Sequence, residues 1–211
     1  MAPFMVMDCT LLIKMSGLPP AFNIRDLRNR IAICRPEVIY HHFCENLLAP
    51  TFDYPDFRND FAVWVKRRLE DNLLAEQLGL IDPYEFDSME DLRSFTLDII
   101  DEHIACLHTI NTINPGHEFF LKEAVTVVFE TGKILADPSE LTKVIPVMTN
   151  GSIYYHFLEA RRRNDSRMDD FSIWLELFGE TWKDKISSLR SIDFIFYTLT
   201  ELKQEIFRVL R

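Results

Sequence analysis

Two histidines in this chain are set in nearly the same words. His42 lies in VIYHHFCEN, starting at Val38, and His156 in SIYYHFLEA, starting at Ser152; each is followed three positions on by a glutamate, Glu45 and Glu159. A second matching pair, NDFAVWV and DDFSIWL, supplies Asp60 and Asp170. Neutral imidazole and carboxylate are common ligands of Zn, Mn and Fe, and helical bundles project such side chains inward. On a helix the i, i+3 spacing lets each histidine approach its glutamate. If all six converged, a divalent metal held by His42, His156, Glu45, Glu159, Asp60 and Asp170 would offer hydrolytic or redox chemistry. The competing reading is structural. Each imidazole is then a half-buried core group satisfying a nearby acceptor, the glutamates face solvent, and the aspartates cap helices, where aspartate prefers to sit. H-x-x-E is a common spacing, and repetition copies a structural histidine as faithfully as a ligand. The structural reading therefore carries more weight, with no cofactor expected and a bound metal as its alternative.

A second group of residues suits anions. Lys66, Arg67 and Arg68 follow the first aspartate motif, and Arg161, Arg162, Arg163 and Arg167 follow the second histidine motif. Guanidinium forks match phosphate and carboxylate, so an anionic metabolite or an acidic partner surface could dock on them. Against this, arginines at a helix C-terminus complement its dipole, and charge runs on helices are mostly solvated faces. His103 and His108 fall on different faces, and His117 lies in a turn-rich stretch. No serine or cysteine has a nucleophile context such as G-x-S-x-G.

These residues are positioned by elements that occur twice. FMVMDCTLLIKMSG, from Phe4, aligns with FFLKEAVTVVFETG, from Phe119. The histidine motifs, the aspartate motifs and finally SMEDLR and TLTELK follow in the same order. Four collinear blocks with a slowly drifting offset read as an internal duplication with small insertions, copies 1–112 and 113–211 forming one compact unit. The first block, rich in β-branched and apolar residues and ending on glycine, reads as a strand; a lone strand has no partner, so the two copies are expected to pair. Ser88 with Asp91, Thr198 with Glu201, and Asp137 with Glu140 carry helix-start signals. Asn23, and Asn59 or Asp60, do the same. Apolar stripes follow: Leu92, Phe95, Ile99 and Cys106; Leu199, Leu202, Ile206 and Val209; Phe61, Trp64, Val65 and Leu69; Phe171, Trp174, Leu175 and Phe178. The fold expected is α+β and mainly helical, each copy a strand followed by about four helices, packed about a pseudo-two-fold axis.

Composition narrows the function. The 211 residues carry a net charge of −10 and only six glycines. That charge disfavours nucleic acid and anionic membrane, because phosphate neutralisation by Lys and Arg supplies most of such affinity. No glycine-rich phosphate loop occurs. Cys34 and Cys44 read as small core residues, and the four cysteines show no C-x-x-C spacing. The first residues are apolar but lack a basic region, and a cytoplasmic location is the expectation. The set IYYHF, DDFSIWL and IDPYEF resembles a bacterial domain-of-unknown-function family over nearly the whole chain, with departures at YHHF in the first copy and IDFIF in the second. That resemblance implies the fold and the repeat, not an activity. The expected function is a non-catalytic module binding a protein partner or small ligand, alone or as a homodimer, for which Trp182 is a candidate anchor. A metal-dependent hydrolase and an accessory protein binding an anionic metabolite are the alternatives.

Overall fold

Helix starts in this chain are set by short polar side chains. Asn23, Asn59, Asp71, Ser88, Thr149, Asp169 and Thr198 each accept a hydrogen bond from the backbone N–H three residues on. That satisfies one of the donors a helix leaves open at its first turn. Asp137 with Glu140, and Thr198 with Glu201, close full reciprocal capping boxes. The structure is a computed structural model and describes residues 2–52 and 57–211.

The elements run β1 (Phe4–Met15), α1 (Ile24–Ile33), α2 (Pro36–Phe43), α3 (Asp60–Trp64), α4 (Asn72–Gly79), α5 (Met89–Cys106) and β2 (Lys122–Leu135). Then follow α6 (Leu141–Val144), α7 (Asn150–Ile153), α8 (Ala160–Arg163), α9 (Asp170–Glu176), α10 (Lys183–Arg190) and α11 (Leu199–Leu210). Among the described residues two π-helical segments interrupt the pattern, Val65–Leu69 after α3 and Tyr154–Glu159 between α7 and α8. The fold is thus α+β and mainly helical. Its one sheet, among the described residues, pairs β1 with β2. The pairing is antiparallel in register: Ser16 N–H donates to Leu121 O, and Thr131 Oγ1 donates to Val6 O. No helix among the described residues is long and apolar enough to cross a membrane.

Contacts divide the chain into two compact units, and the strands are shared between them. One unit is Leu11–Val125; the other joins the residues up to Thr10 with Thr126–Arg211. The first unit packs Leu27 and Ile31 of α1, Ile39 and Phe43 of α2, Phe61 and Trp64 of α3, and Leu74 and Leu78 of α4 against Phe119 and Leu121. The second buries Phe4 and Val6 with Ile153, Tyr154, Phe157, Phe171, Leu175, Leu202 and Ile206.

Most of the apolar stripes face inward as their spacing suggests; α5 differs. Its buried residues are Leu92, Arg93, Thr96 and Ile100, while Phe95 is 46% exposed and Cys106 is exposed. The helix is turned because Arg93 is drawn inside, where its guanidinium donates to Ile31 O and Ala32 O at the end of α1. Terminal helix carbonyls lack intrahelical donors, and a cation there satisfies both hydrogen bond and dipole.

Candidate functional site

His42 is carried inward by α2 and is completely buried. Its Nδ1 lies 2.7 Å from Asp60 Oδ2, and its Nε2 accepts the backbone N–H of Lys122, the first residue of β2, at 2.9 Å. An amide N–H can only donate, so Nε2 carries no proton; the ring is the neutral Nδ1–H tautomer, donating to an aspartate carboxylate. Asp60 also accepts from Thr51 Oγ1 at 2.8 Å and Asn46 Nδ2 at 3.3 Å. Burial holds the His42 imidazole below the ordinary histidine range, against the opposing pull of Asp60.

His156, in the other unit, repeats the arrangement. Its Nδ1 lies 2.8 Å from Asp170 Oδ2, and its Nε2 accepts the N–H of Met7 in β1 at 2.9 Å. Asp170 further accepts from Arg163 Nη2 at 2.9 Å and Asn164 Nδ2 at 3.4 Å. Burial raises the Asp170 pKa, yet the His156 hydrogen bond and the nearby Arg163 outweigh it, and the carboxyl stays below its usual value. Aromatic packing repeats as well. Phe119 lies 4.9 Å from His42 and 5.3 Å from Phe61; Phe4 lies 4.8 Å from His156 and 5.5 Å from Phe171, between ring centroids. Trp64 Nε1–H donates to His117 O, two residues before Phe119, and Trp174 Nε1–H donates to Ala2 O, two residues before Phe4.

The aspartates are not the helix caps that the sequence suggests. Asn59 and Asp169 take that position, accepting from Ala62 N–H and Ser172 N–H. This leaves Asp60 and Asp170, one residue inside each helix, to face the imidazoles. Glu45 is buried and lies 3.1 Å from His41 Nδ1, while Glu159 is half-buried on the π-helical turn. His42 pairs with Asp60 in one unit, and His156 with Asp170 in the other. Among the described residues no group of three or more His, Cys, Asp or Glu side chains is placed to hold a metal.

Geometry resembles a base-and-orienter pair up to the last atom. In a hydrolytic triad the aspartate fixes the Nδ1–H tautomer and Nε2 takes the nucleophile's proton. Here the lone pair of Nε2 is already spent on a strand amide. A proton acceptor or a metal ligand at either ring would have to displace β1 or β2.

The cationic cluster divides in two. Arg161 lies over the rings of Phe157 and Phe194, 4.6 Å and 4.8 Å from their centroids, with Asp169 at 3.8 Å. Arg163 stacks on Tyr155 at 4.0 Å and bonds Asp170. Arg163 thus supports the His156 pair directly, while Arg161 packs beside the N-cap residue of the helix that carries Asp170. Arg162 is exposed and Arg167 adopts a left-handed φ of 52°. Lys66 and Arg67 are half-buried and Arg68 exposed; Arg67 and Arg68 line a cavity of about 360 Å³ with residues of the 111–117 stretch.

Sequence reasoning did not anticipate the strand amides as the histidines' second partners. The signal was available, since Met7 and Lys122 hold matching places in the aligned strand blocks. Buried Glu123 was also missed; it takes both Lys14, at 2.9 Å, and Arg35. Its counterpart by alignment, Asp8, accepts instead from Thr149 Oγ1 at 2.8 Å.

The model of a family of unknown function, DUF5752, matches residues 1–211. The chain belongs to this family. A search of the curated proteins finds no match. Among solved structures, OrfY from Thermoproteus tenax is similar at 28% identity with a TM-score of 0.77, covering 99% of this chain and 94% of that one. The likeness therefore extends over the whole DUF5752 chain, both units included.

Proposed function

We propose that the chain is a cytoplasmic, non-catalytic binding module built from two copies of one strand-and-helix unit. In it the His–Asp pairs are clamps that hold strands, not reaction centres. The observation supporting this most directly is the use of both ring nitrogens in each pair. Asp60 and Asp170 take the Nδ1 protons, and the amides of Lys122 and Met7 fill Nε2. A buried backbone N–H without an acceptor costs about 1–3 kcal/mol, so an imidazole that accepts it secures the strand end. The matching contacts of Phe4 and Phe119, and of Trp174 and Trp64, support the reading of two copies.

The test is elemental analysis of untagged protein purified without chelator, together with the His42→Gln and His156→Gln variants. The clamp reading expects no metal dependent on either histidine and lowered melting temperatures for both variants. Near-stoichiometric Zn, Mn or Fe, lost in both variants while the fold persists, would overturn it in favour of a metal-dependent enzyme.

A further inference from the structure

Among the described residues, most of the large apolar side chains exposed to solvent lie on β1 and β2. In the unit that contains Thr126–Arg211, the segment of β2 from Val127 to Ile134 is exposed at every residue. A strand with one face on a core alternates between buried and exposed side chains. β1 does so in this unit, with Phe4 and Val6 buried and Met5 exposed between them. The facing segment of β2 does not. Its Val127, Val128, Phe129 and Ile134 are 38%, 39%, 46% and 60% exposed.

The segment is also paired along one edge only. Among the described residues the sheet has two strands, so β2 has β1 on one side and no strand on the other. An exposed apolar edge of this kind is a template for another strand, and exposed apolar patches mark interaction surfaces.

We infer that Val127–Ile134 docks on the same segment of a second copy of this chain. Charge selects that occupant. Glu130 and Lys133 stand within the segment, opposite in sign, and among the described residues neither side chain makes a hydrogen bond or ion pair. In a two-fold dimer every contact between two positions is made twice, once from each copy. A two-fold axis between Glu130 and Lys133 sets each Glu130 against the second copy's Lys133, and Phe129 against Ile134. An in-register parallel pairing would instead oppose like charges, which is destabilising. Gly132 lies beside that axis with nothing within 4 Å of where a Cβ would stand, so the approach is open. The chain's net charge of −10 works against close approach of two copies, whereas this segment carries one charge of each sign. Eight residues are fewer than the roughly 20–30 that each side of a stable interface supplies, so the dimer is weak and reversible. The inference names a partner for the binding module proposed above and rests on that reading; it uses neither clamp.

The experiment is sedimentation velocity on the untagged full chain over a concentration series spanning the micromolar range. Monomer at the lowest concentrations and dimer at the highest are expected for wild type. Phe129→Lys, which puts a charge on the apolar edge, should weaken association by about tenfold or more. Glu130→Lys and Lys133→Glu should each weaken it by about tenfold, because each replaces two attractive pairs by two repulsive ones. The exchange Glu130→Lys/Lys133→Glu should restore association to near the wild-type value. All three positions are exposed, and unchanged melting temperatures at the lowest concentrations will show that the monomer folds in every variant. A monomer throughout the series would leave the strand to a different partner and overturn the inference. So would a dimer indifferent to Phe129→Lys and to the charge exchange. Either result leaves the clamps untouched, since the histidine variants test them in the monomer.

Discussion

The backbone N–H of Met7 donates to Nε2 of His156, 149 positions away in sequence. Lys122 and His42 make the same bond 80 positions apart. In each case an aspartate at the start of a later short helix, Asp60 on α3 or Asp170 on α9, fixes the tautomer that makes the acceptance feasible. A strand end, a helix and a helix start are thereby tied through one imidazole.

Replacing that imidazole should cost more than a core truncation of equal size. His42→Ala leaves the Lys122 amide without its acceptor, removes a donor from buried Asp60 and opens a void. The expected loss is about 3 kcal/mol or more, read from urea unfolding. A loss under about 1 kcal/mol would show that the strand does not depend on His42.

Acid should act on the same bond. Burial, opposed by Asp60, keeps the folded His42 pKa below its ordinary value of 6.5. As pH falls below about 6.5 the unfolded chain takes up a proton that the folded chain resists, so stability present above that pH declines until the folded ring itself protonates. Asp170 has a depressed folded pKa, so its contribution is present above its ordinary value of 3.8 and is lost as pH falls through the lower folded one. Urea midpoints of wild type and His42→Gln between pH 8 and pH 5 should converge as the pH drops. Parallel curves would contradict the account.

Gly151 permits the strand to approach α7. A Cβ built there would stand 2.3 Å from Asp8 Oδ1 and 2.4 Å from the Cys9 carbonyl oxygen. Since backbone cannot retreat cheaply, Gly151→Ala should destabilise by about 1–3 kcal/mol in thermal or urea unfolding, despite alanine's better helix propensity. An unchanged or raised stability would mean that the strand gives way freely.

The two arginine groups should separate by stability. Arg163→Ala removes a partner of Asp170 and a ring contact with Tyr155, and should lower stability by about 1 kcal/mol or more. Arg68→Ala, at an exposed position, should stay within about 0.5 kcal/mol of wild type. Equal losses would remove the distinction between a supporting and a solvent-facing cluster.

How much of this was legible in the sequence follows from the range of each interaction. Caps are local, so Ser88, Thr198, Asp137 and Asn23 declared their helices. The aligned blocks marked the strands and the recurring aromatics. The histidines' aspartate partners were obscured because spacing along one helix suggested Glu45 and Glu159, whereas Asp60 and Asp170 arrive from α3 and α9. The rotation of α5 was hidden for a similar reason: Arg93 reads as a surface residue until the end of α1 is brought against it. The cavity at Arg67 and Arg68 needed the 111–117 stretch folded opposite them, and spacing carries no trace of that.

The most direct test of the central claim is the protonation state of His42 and His156. Long-range proton–nitrogen correlation spectra of the six histidines at neutral pH, recorded before and after addition of Zn²⁺, report each ring nitrogen separately. The account predicts two rings with protonated Nδ1 and unprotonated Nε2, absent in the respective glutamine variants and unmoved by the metal. An Nε2–H tautomer at either residue, or resonances that shift stoichiometrically with Zn²⁺, would contradict it.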